Sequence, residues 1–145
     1  MADRPAAAHL PGSVLFVEDD AGLAGVVVRH LIARGHDARS ASSAEEAVDL
    51  MAGGFRPTVV LLDINLPGAS GWDLLRSGAL RAAGSPPVYV VSATSVPPAR
   101  LREFSVAGFL PKPFALPTLI EVVERHGAER AGGGTEGPGA GLDAR

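Results

Sequence analysis

The most apolar stretch of the chain ends in a carboxylate. Residues Thr58 to Leu62 run directly into Asp63, and the turn-forming sequence Ile64-Asn65-Leu66-Pro67-Gly68 follows. Because the apolar run is continuous rather than alternating, it predicts a strand buried on both faces, as in parallel sheets. Ligands of such sheets bind in the crevice outside the carboxyl ends of the strands. Asp63 is therefore predicted to lie at a functional edge.

Three other strand-like segments also run into polar side chains. Val14 to Val17 leads into Glu18-Asp19-Asp20, Pro87 to Val91 leads into Ser92, and Phe109-Leu110 leads into Lys112-Pro113. Together with Asp63, these segments place an acid pair, a single carboxylate, a hydroxyl and an ammonium at one sheet edge. This set of groups predicts a site that accepts a phosphoryl group with the help of a divalent cation.

Strand-like and helical patterns alternate five times along the chain. The predicted strands cover residues 13–17, 37–41, 58–62, 87–91 and 107–110, and Leu116–Arg125 is the last predicted helix. Repeated βα units predict an α/β fold with a parallel sheet covered by helices on both faces. Because crossovers between parallel strands are right-handed, a doubly wound five-stranded sheet is the expected topology.

The length and composition predict one folded domain with two loose ends. A chain of 145 residues with 46% hydrophobic residues is large enough for a single core. Residues 1–12 are expected to form a flexible arm, residues 13–126 the domain, and residues 127–145 a Gly-rich, disordered tail.

Charge, cysteine content and hydropathy exclude several classes of function. A net charge of −3 gives no indication of a nucleic-acid or membrane surface, and the absence of cysteine excludes disulfides and thiolate metal sites. No stretch approaches the roughly 18 apolar residues that span a bilayer, and the N-terminal apolar run is too short for a signal-peptide core. We therefore expect a cytoplasmic protein without membrane insertion or direct nucleic-acid contact.

The acidic residues alone support two interpretations. Glu18, Asp19 and Asp63 follow strands that would be neighbours, and carboxylates at close quarters raise one another's pKa. A hard cation such as Mg²⁺ would relieve that repulsion, since it prefers oxygen ligands. Alternatively, Glu18-Asp19-Asp20 is a solvated helix N-terminus that is favoured by the helix dipole.

Ser92 and Lys112 favour the first interpretation. A hydroxyl and an ammonium at the ends of the fourth and fifth strands could each bind an oxygen of a phosphoryl group on Asp63. Phosphoryl transfer depends mostly on positioning and charge neutralisation, which these groups supply.

Between Ser13 and His126, four motifs in this order and spacing resemble the receiver domain of two-component response regulators. The motifs are Val14-Leu15-Phe16-Val17-Glu18-Asp19-Asp20, then Leu61-Leu62-Asp63-Ile64-Asn65-Leu66-Pro67-Gly68 with Gly71 following, then Val90-Val91-Ser92-Ala93, and finally Phe109-Leu110-Pro111-Lys112-Pro113-Phe114. The resemblance implies the (βα)5 flavodoxin-like fold of CheY-like proteins.

The resemblance also implies a metal-assisted phosphoacceptor site. Asp63 would be the phosphoacceptor that becomes 4-aspartylphosphate, and Asp19 would be the main acidic ligand of Mg²⁺ or Mn²⁺. Glu18 would act on the metal largely through water, and the backbone carbonyl of Asn65 would be the remaining protein ligand. Lys112 would bind the phosphoryl group as its ammonium partner.

A second group of residues would carry the switch. Ser92 would be the switch hydroxyl and Phe109 the switch aromatic, and the Lys112-Pro113 peptide bond would be cis. The chain departs from the family pattern at Ser105, where a glycine is usual, at Phe109, which lacks a tyrosine hydroxyl, and at Pro97-Pro98, which shortens the fourth helix. These departures concern the surface that contacts partners.

We expect a stand-alone response regulator without an output domain, because only a Gly-rich tail follows the last predicted helix. It would accept the phosphoryl group from a histidine kinase or a histidine phosphotransfer protein, and catalyse only its own phosphorylation and dephosphorylation. Its switching face, built from the fourth helix, the fifth strand and the last helix, would control a downstream protein.

Two alternative functions are compatible with parts of the sequence. A phosphatase or phosphotransferase of the haloacid dehalogenase type would want a second aspartate two residues after the nucleophile, where this chain has Asn65. The other alternative is an interaction module that works without phosphorylation.

Overall fold

A computed structural model of the chain describes the backbone of residues 12–136 and the side chains of residues 12–127. The strands are β1 (Ser13–Val17), β2 (Asp37–Ala41), β3 (Val59–Asp63), β4 (Val88–Ser92) and β5 (Gly108–Pro111). The helices are α1 (Ala21–Ala33), α2 (Ala44–Ala52), α3 (Gly71–Arg76), α4 (Ala79–Ala82), α5 (Pro98–Glu103) and α6 (Leu116–Glu136). The predicted α/β fold is confirmed.

All five strands are parallel and form one sheet in the order β2-β1-β3-β4-β5. The chain therefore leaves β1 in one direction across the sheet and β3 in the other, which makes the gap between them a topological switch point. Val17 pairs with Leu62, so the residues that follow β1 and the last residue of β3 meet at the same edge.

The core is divided into two layers by the sheet. Successive residues of a strand point to opposite faces, so Leu15 and Leu62 pack under α2, α3 and α4, whereas Phe16 and Leu61 pack under α1 and α6. β3 and β4 are buried along their whole length, as their continuous apolar runs predict. In contrast, α5 contains no fully buried residue.

The spacing of Trp72, Leu74, Leu75 and Leu80 predicts one helix after β3, but the structure has two short helices there, α3 and α4. Gly78 adopts a φ of 87°, a left-handed conformation that does not continue an α-helix. Ser77 stabilises the break, because its hydroxyl donates to the Leu74 carbonyl and accepts from the Ala79 N–H. The fourth and last predicted helices correspond to α5 and α6.

The last helix is longer than the sequence pattern predicts. α6 continues beyond Arg125 to Glu136, so the predicted boundary at Gly127 falls within a helix. The predicted arm and the end of the predicted tail, residues 1–11 and 137–145, lie outside the described residues, and the division into arm, domain and tail stays a prediction. None of the helices within residues 12–136 has the length and hydropathy to cross a membrane.

Candidate functional site

Three carboxylates meet where β1 and β3 end. Glu18 and Asp19 directly follow β1 and Asp63 closes β3, and one oxygen from each lies within 4.8 Å of the others. Glu18 and Asp63 are buried, whereas Asp19 is exposed and makes no hydrogen bond or ion pair with any other residue that the structure describes. The cluster therefore has one carboxylate open to solvent above two that are fixed in the protein.

Lys112 brings the single ammonium to this cluster. It follows β5, its N–H donates to the Ser92 carbonyl, and the Lys112-Pro113 peptide bond is cis. Its Nζ lies 2.6 Å from Glu18 Oε1 and 3.2 Å from Asp63 Oδ2. One positive charge thus bridges two buried carboxylates.

Glu18 and Lys112 have shifted pKa values. Burial raises the pKa of Glu18, against the opposing effects of the Lys112 contact and of the Asp20 N–H that donates to Glu18. Burial alone would lower the pKa of Lys112, but the contacts with Glu18 and Asp63 outweigh it and raise the pKa above its usual value. Lys112 is therefore an ammonium at neutral pH.

The donor set fits a hard divalent cation. Three carboxylates face one ammonium, and an oxygen-rich site with an excess of negative charge suits Mg²⁺ or Mn²⁺. Asp19, Glu18 and Asp63 are the side chains that could hold the ion. The backbone carbonyl of Asn65, two residues past Asp63, is the additional ligand that the family resemblance implies.

Asp63 is held in place by the turn that follows it. Its Oδ1 accepts a hydrogen bond from the Asn65 N–H at 2.9 Å, and Oδ2 accepts one from Lys112. The loop folds back so tightly that a Cβ at Gly71 would lie 2.8 Å from the Asp63 carbonyl oxygen. Glycine at position 71 is thus what lets α3 begin directly against the end of β3.

Ser92 lies at the same edge, but its hydroxyl is turned toward Thr94. Ser92 Oγ accepts the Thr94 N–H at 3.1 Å and lies 3.0 Å from Thr94 Oγ1. The sequence pattern did not predict the contact with Thr94, although a serine hydroxyl that accepts the backbone N–H two residues on is a known local turn pattern.

Phe109 is half-buried on β5, which is an edge strand of the sheet. It packs against the α2–α4 side of the core, together with Val96, Leu101 and Val106 around α5. The structure therefore places the predicted switch aromatic between β5 and the segment that contains α5.

A family model described as the response regulator receiver domain matches residues 14–124. Response regulator MprA of Mycolicibacterium vanbaalenii is 32% identical over 114 residues, which is 77% of this chain and 48% of the relative. The cell cycle transcriptional regulator CtrA of Caulobacter vibrioides is 33% identical over 110 residues, 74% of this chain and 46% of the relative. The chain thus spans about half the length of these relatives.

Solved structures show the same fold. The CheY-like response regulator receiver domain protein from Methanospirillum hungatei superposes with a TM-score of 0.76 at 21% identity, covering 88% of this chain and 99% of the other. The non-phosphorylated HemR receiver domain from Leptospira biflexa gives a TM-score of 0.68 at 30% identity, with coverage of 81% and 94%.

Proposed function

The chain belongs to the response regulator receiver domain family, and on that basis we propose that Asp63 accepts a phosphoryl group in a reaction that depends on Mg²⁺ or Mn²⁺. The donor would be a histidine kinase or a histidine phosphotransfer protein in the cytoplasm. One observation carries the proposal: a buried carboxylate at the end of β3 lies beside an ammonium and two further carboxylates.

The chain's own residues prepare the acceptor. An oxygen of Asp63 attacks phosphorus, the bond from phosphorus to the leaving atom breaks, and that atom takes the electron pair. The Asn65 N–H and the Lys112 ammonium orient the Asp63 carboxylate before the reaction. The bound cation would neutralise charge on the carboxylates and on the phosphoryl oxygens.

Lys112 has a second task once Asp63 carries the phosphoryl group. Its ammonium contacts Asp63 and Glu18 directly, so a short movement would bring it to a phosphoryl oxygen. Because Lys112 follows β5 immediately, that movement would connect the acceptor with the strand that carries Phe109.

The proposed function requires metal-dependent formation of aspartyl phosphate. Intact-mass measurement of the wild-type chain with a small phosphodonor and Mg²⁺ should show one phosphoryl adduct, and excess chelator should suppress it. Full adduct formation in chelator would contradict the proposed role of the cation.

The haloacid dehalogenase alternative has no observation in its favour, since Asn65 occupies the position of its second aspartate and the chain belongs to another family. A protein named as a transcriptional regulator is among the relatives, so the similarity does not support the expected lack of nucleic-acid contact. The stand-alone state also stays a prediction.

We expect Thr94 to restrain the switch, because Ser92 must leave it to reach a phosphoryl oxygen. Thr94→Val removes the contact between the Thr94 and Ser92 hydroxyls, but it keeps the hydrogen bond from the Thr94 N–H to Ser92 Oγ. A hydrogen bond of this kind contributes about 1 kcal/mol, so the variant should bind a phosphoryl mimic such as beryllofluoride about two- to fivefold more tightly. Mimic titration followed by Trp72 fluorescence measures this.

The exposed Ser95 hydroxyl provides the matched control, because it makes no hydrogen bond with the described residues. Ser95→Ala should leave the affinity for the mimic unchanged. Weaker binding of the mimic by Thr94→Val would show that Thr94 supports the switched state instead.

The proposed output is a rearrangement of the face formed by α5, β5 and α6. If Ser92 moves toward the phosphoryl group, it vacates space that the half-buried Phe109 ring can enter. Because Phe109 has no hydroxyl, burial alone would hold the inward position. Phe109→Ala should therefore abolish the change in amide exchange that a phosphoryl mimic produces across residues 96–123. No change in the wild type would contradict this output.

A further inference from the structure

A small cavity opens beside the proposed phosphoacceptor. It has a volume of about 260 Å³ and lies between the loop after β3 and the loop after β4. Asn65, two residues past Asp63, forms one wall, and Thr94, which contacts the Ser92 hydroxyl, forms the other. The cavity is therefore next to the proposed site, because Asn65 contacts Asp63 and Thr94 contacts Ser92.

Arg100 of α5 also lines this cavity, and it forms no salt bridge within the part of the chain whose side chains are described. Its guanidinium carbon lies 4.6 Å from the centre of the Trp72 ring and 5.8 Å from that of Phe104. Its Nε is buried without a hydrogen-bond partner, and no carboxylate among residues 12–127 pairs with it. Buried donors without an acceptor are rare in proteins.

Three other arginines of the domain have a carboxylate partner, which Arg100 lacks among the described residues. Arg34 pairs with Glu124, Arg39 with Asp37 and Arg76 with Asp73. Arg100 instead stacks on aromatic rings, which positions a planar cation without neutralising it. A guanidinium that is held in place and lacks an anion, in a cavity of this size, is suited to a small carboxylate or phosphate.

We propose that Arg100 binds the leaving group of small acyl phosphate donors and thereby favours them over small donors whose leaving group is neutral. This inference rests on the proposed function of Asp63. When Asp63 attacks phosphorus, the bond from phosphorus to the acyl oxygen breaks, and that oxygen keeps the electron pair and departs as a carboxylate. No proton is required, so the negative charge that develops on the leaving oxygen needs a cation.

This role requires the leaving group to reach the cavity. Attacking and leaving atoms lie roughly in line across phosphorus, so the leaving group is on the far side from Asp63. The cavity is lined by residues of the loops that follow β3 and β4, which end at the same sheet edge as Asp63. The Thr94 and Ser95 hydroxyls in the same cavity can donate further hydrogen bonds to a carboxylate.

A donor with a neutral leaving group isolates this effect. In phosphoramidate the bond from phosphorus to nitrogen breaks, and the nitrogen, which already carries its protons, departs with the electron pair as neutral ammonia. Arg100 has no anion to stabilise in that reaction. A leaving-group role therefore predicts a loss with one donor only, whereas a loss of local structure would affect both donors.

The test compares second-order rate constants for phosphorylation by acetyl phosphate and by phosphoramidate, measured by intact mass with Mg²⁺. Arg100→Gln should lower the constant for acetyl phosphate about tenfold, as expected for the loss of a charged hydrogen bond, and change that for phosphoramidate less than about twofold. Arg100→Lys should restore part of the loss. Arg102→Gln, an exposed neighbour on α5 that does not line the cavity, is the matched control.

Each contrary outcome is distinct. An equal loss with both donors, or no loss with acetyl phosphate, would overturn the role of Arg100. If the wild type takes a phosphoryl group from neither donor, the proposed function of Asp63 fails, and the inference fails with it.

Discussion

Asp63→Asn is expected to abolish the phosphoryl adduct completely. The amide has nearly the same shape as the carboxylate but lacks its nucleophilic charge, and Asp63 is the carboxylate that closes the fully buried strand β3 in contact with Lys112. The variant should fold, because it removes one of three clustered negative charges and can keep an acceptor for the Asn65 N–H. Intact mass with donor and Mg²⁺, together with thermal unfolding, measures both properties.

Asp73→Asn is the control for this experiment. Asp73 is an exposed carboxylate that caps α3 and is not part of the acidic cluster. It should acquire the same adduct as the wild type. An unchanged adduct on Asp63→Asn would place the acceptor at another residue.

Asp19→Ala and Lys112→Ala should have different effects. The first should weaken cation binding, and the second should impair phosphorylation. Asp19→Ala removes the solvent-open carboxylate and should weaken Mg²⁺ binding by more than about tenfold, since loss of a supporting residue alone costs metal sites about that much. Lys112→Ala removes the ammonium that competes for Glu18 and Asp63, so metal affinity should stay equal or rise slightly while phosphorylation falls sharply.

Calorimetric titration with Mg²⁺ measures both affinities. Trp72 provides a second signal, because its ring lines the same cavity as Asn65. Equal loss of metal affinity in the two variants would show that Lys112 supports the cation rather than the phosphoryl group.

The strands and the clustering of site residues could be predicted because they depend on local pattern and on one topological rule. A continuous apolar run that ends in a polar residue predicts a buried strand and its functional end, as for Asp63. Parallel topology then brings the ends of β1, β3, β4 and β5 to one edge. These steps require no knowledge of which side chains touch.

Features that depend on contacts between distant segments could not be predicted in this way. The stack of Arg100 on Trp72 joins α5 to α3, and no periodic pattern relates these two positions. Likewise, the orientation of the Ser92 hydroxyl toward Thr94 depends on the conformation of one loop. The sequence shows a glycine at position 78, but a glycine alone does not indicate that a helix ends. The left-handed φ of Gly78 in the structure shows the break.

The low burial of α5 affects the free energy that is needed to rearrange this helix. Because this helix contains no fully buried residue, we expect it to detach more easily than the central β3 and β4 strands lose their packing. Segments with few buried contacts open at a small fraction of the free energy of global unfolding. Two arrangements of α5 can then differ by only a few kcal/mol, an amount that one new charged group at the sheet edge can supply. The domain thus combines a rigid centre with an outer segment that is easily rearranged.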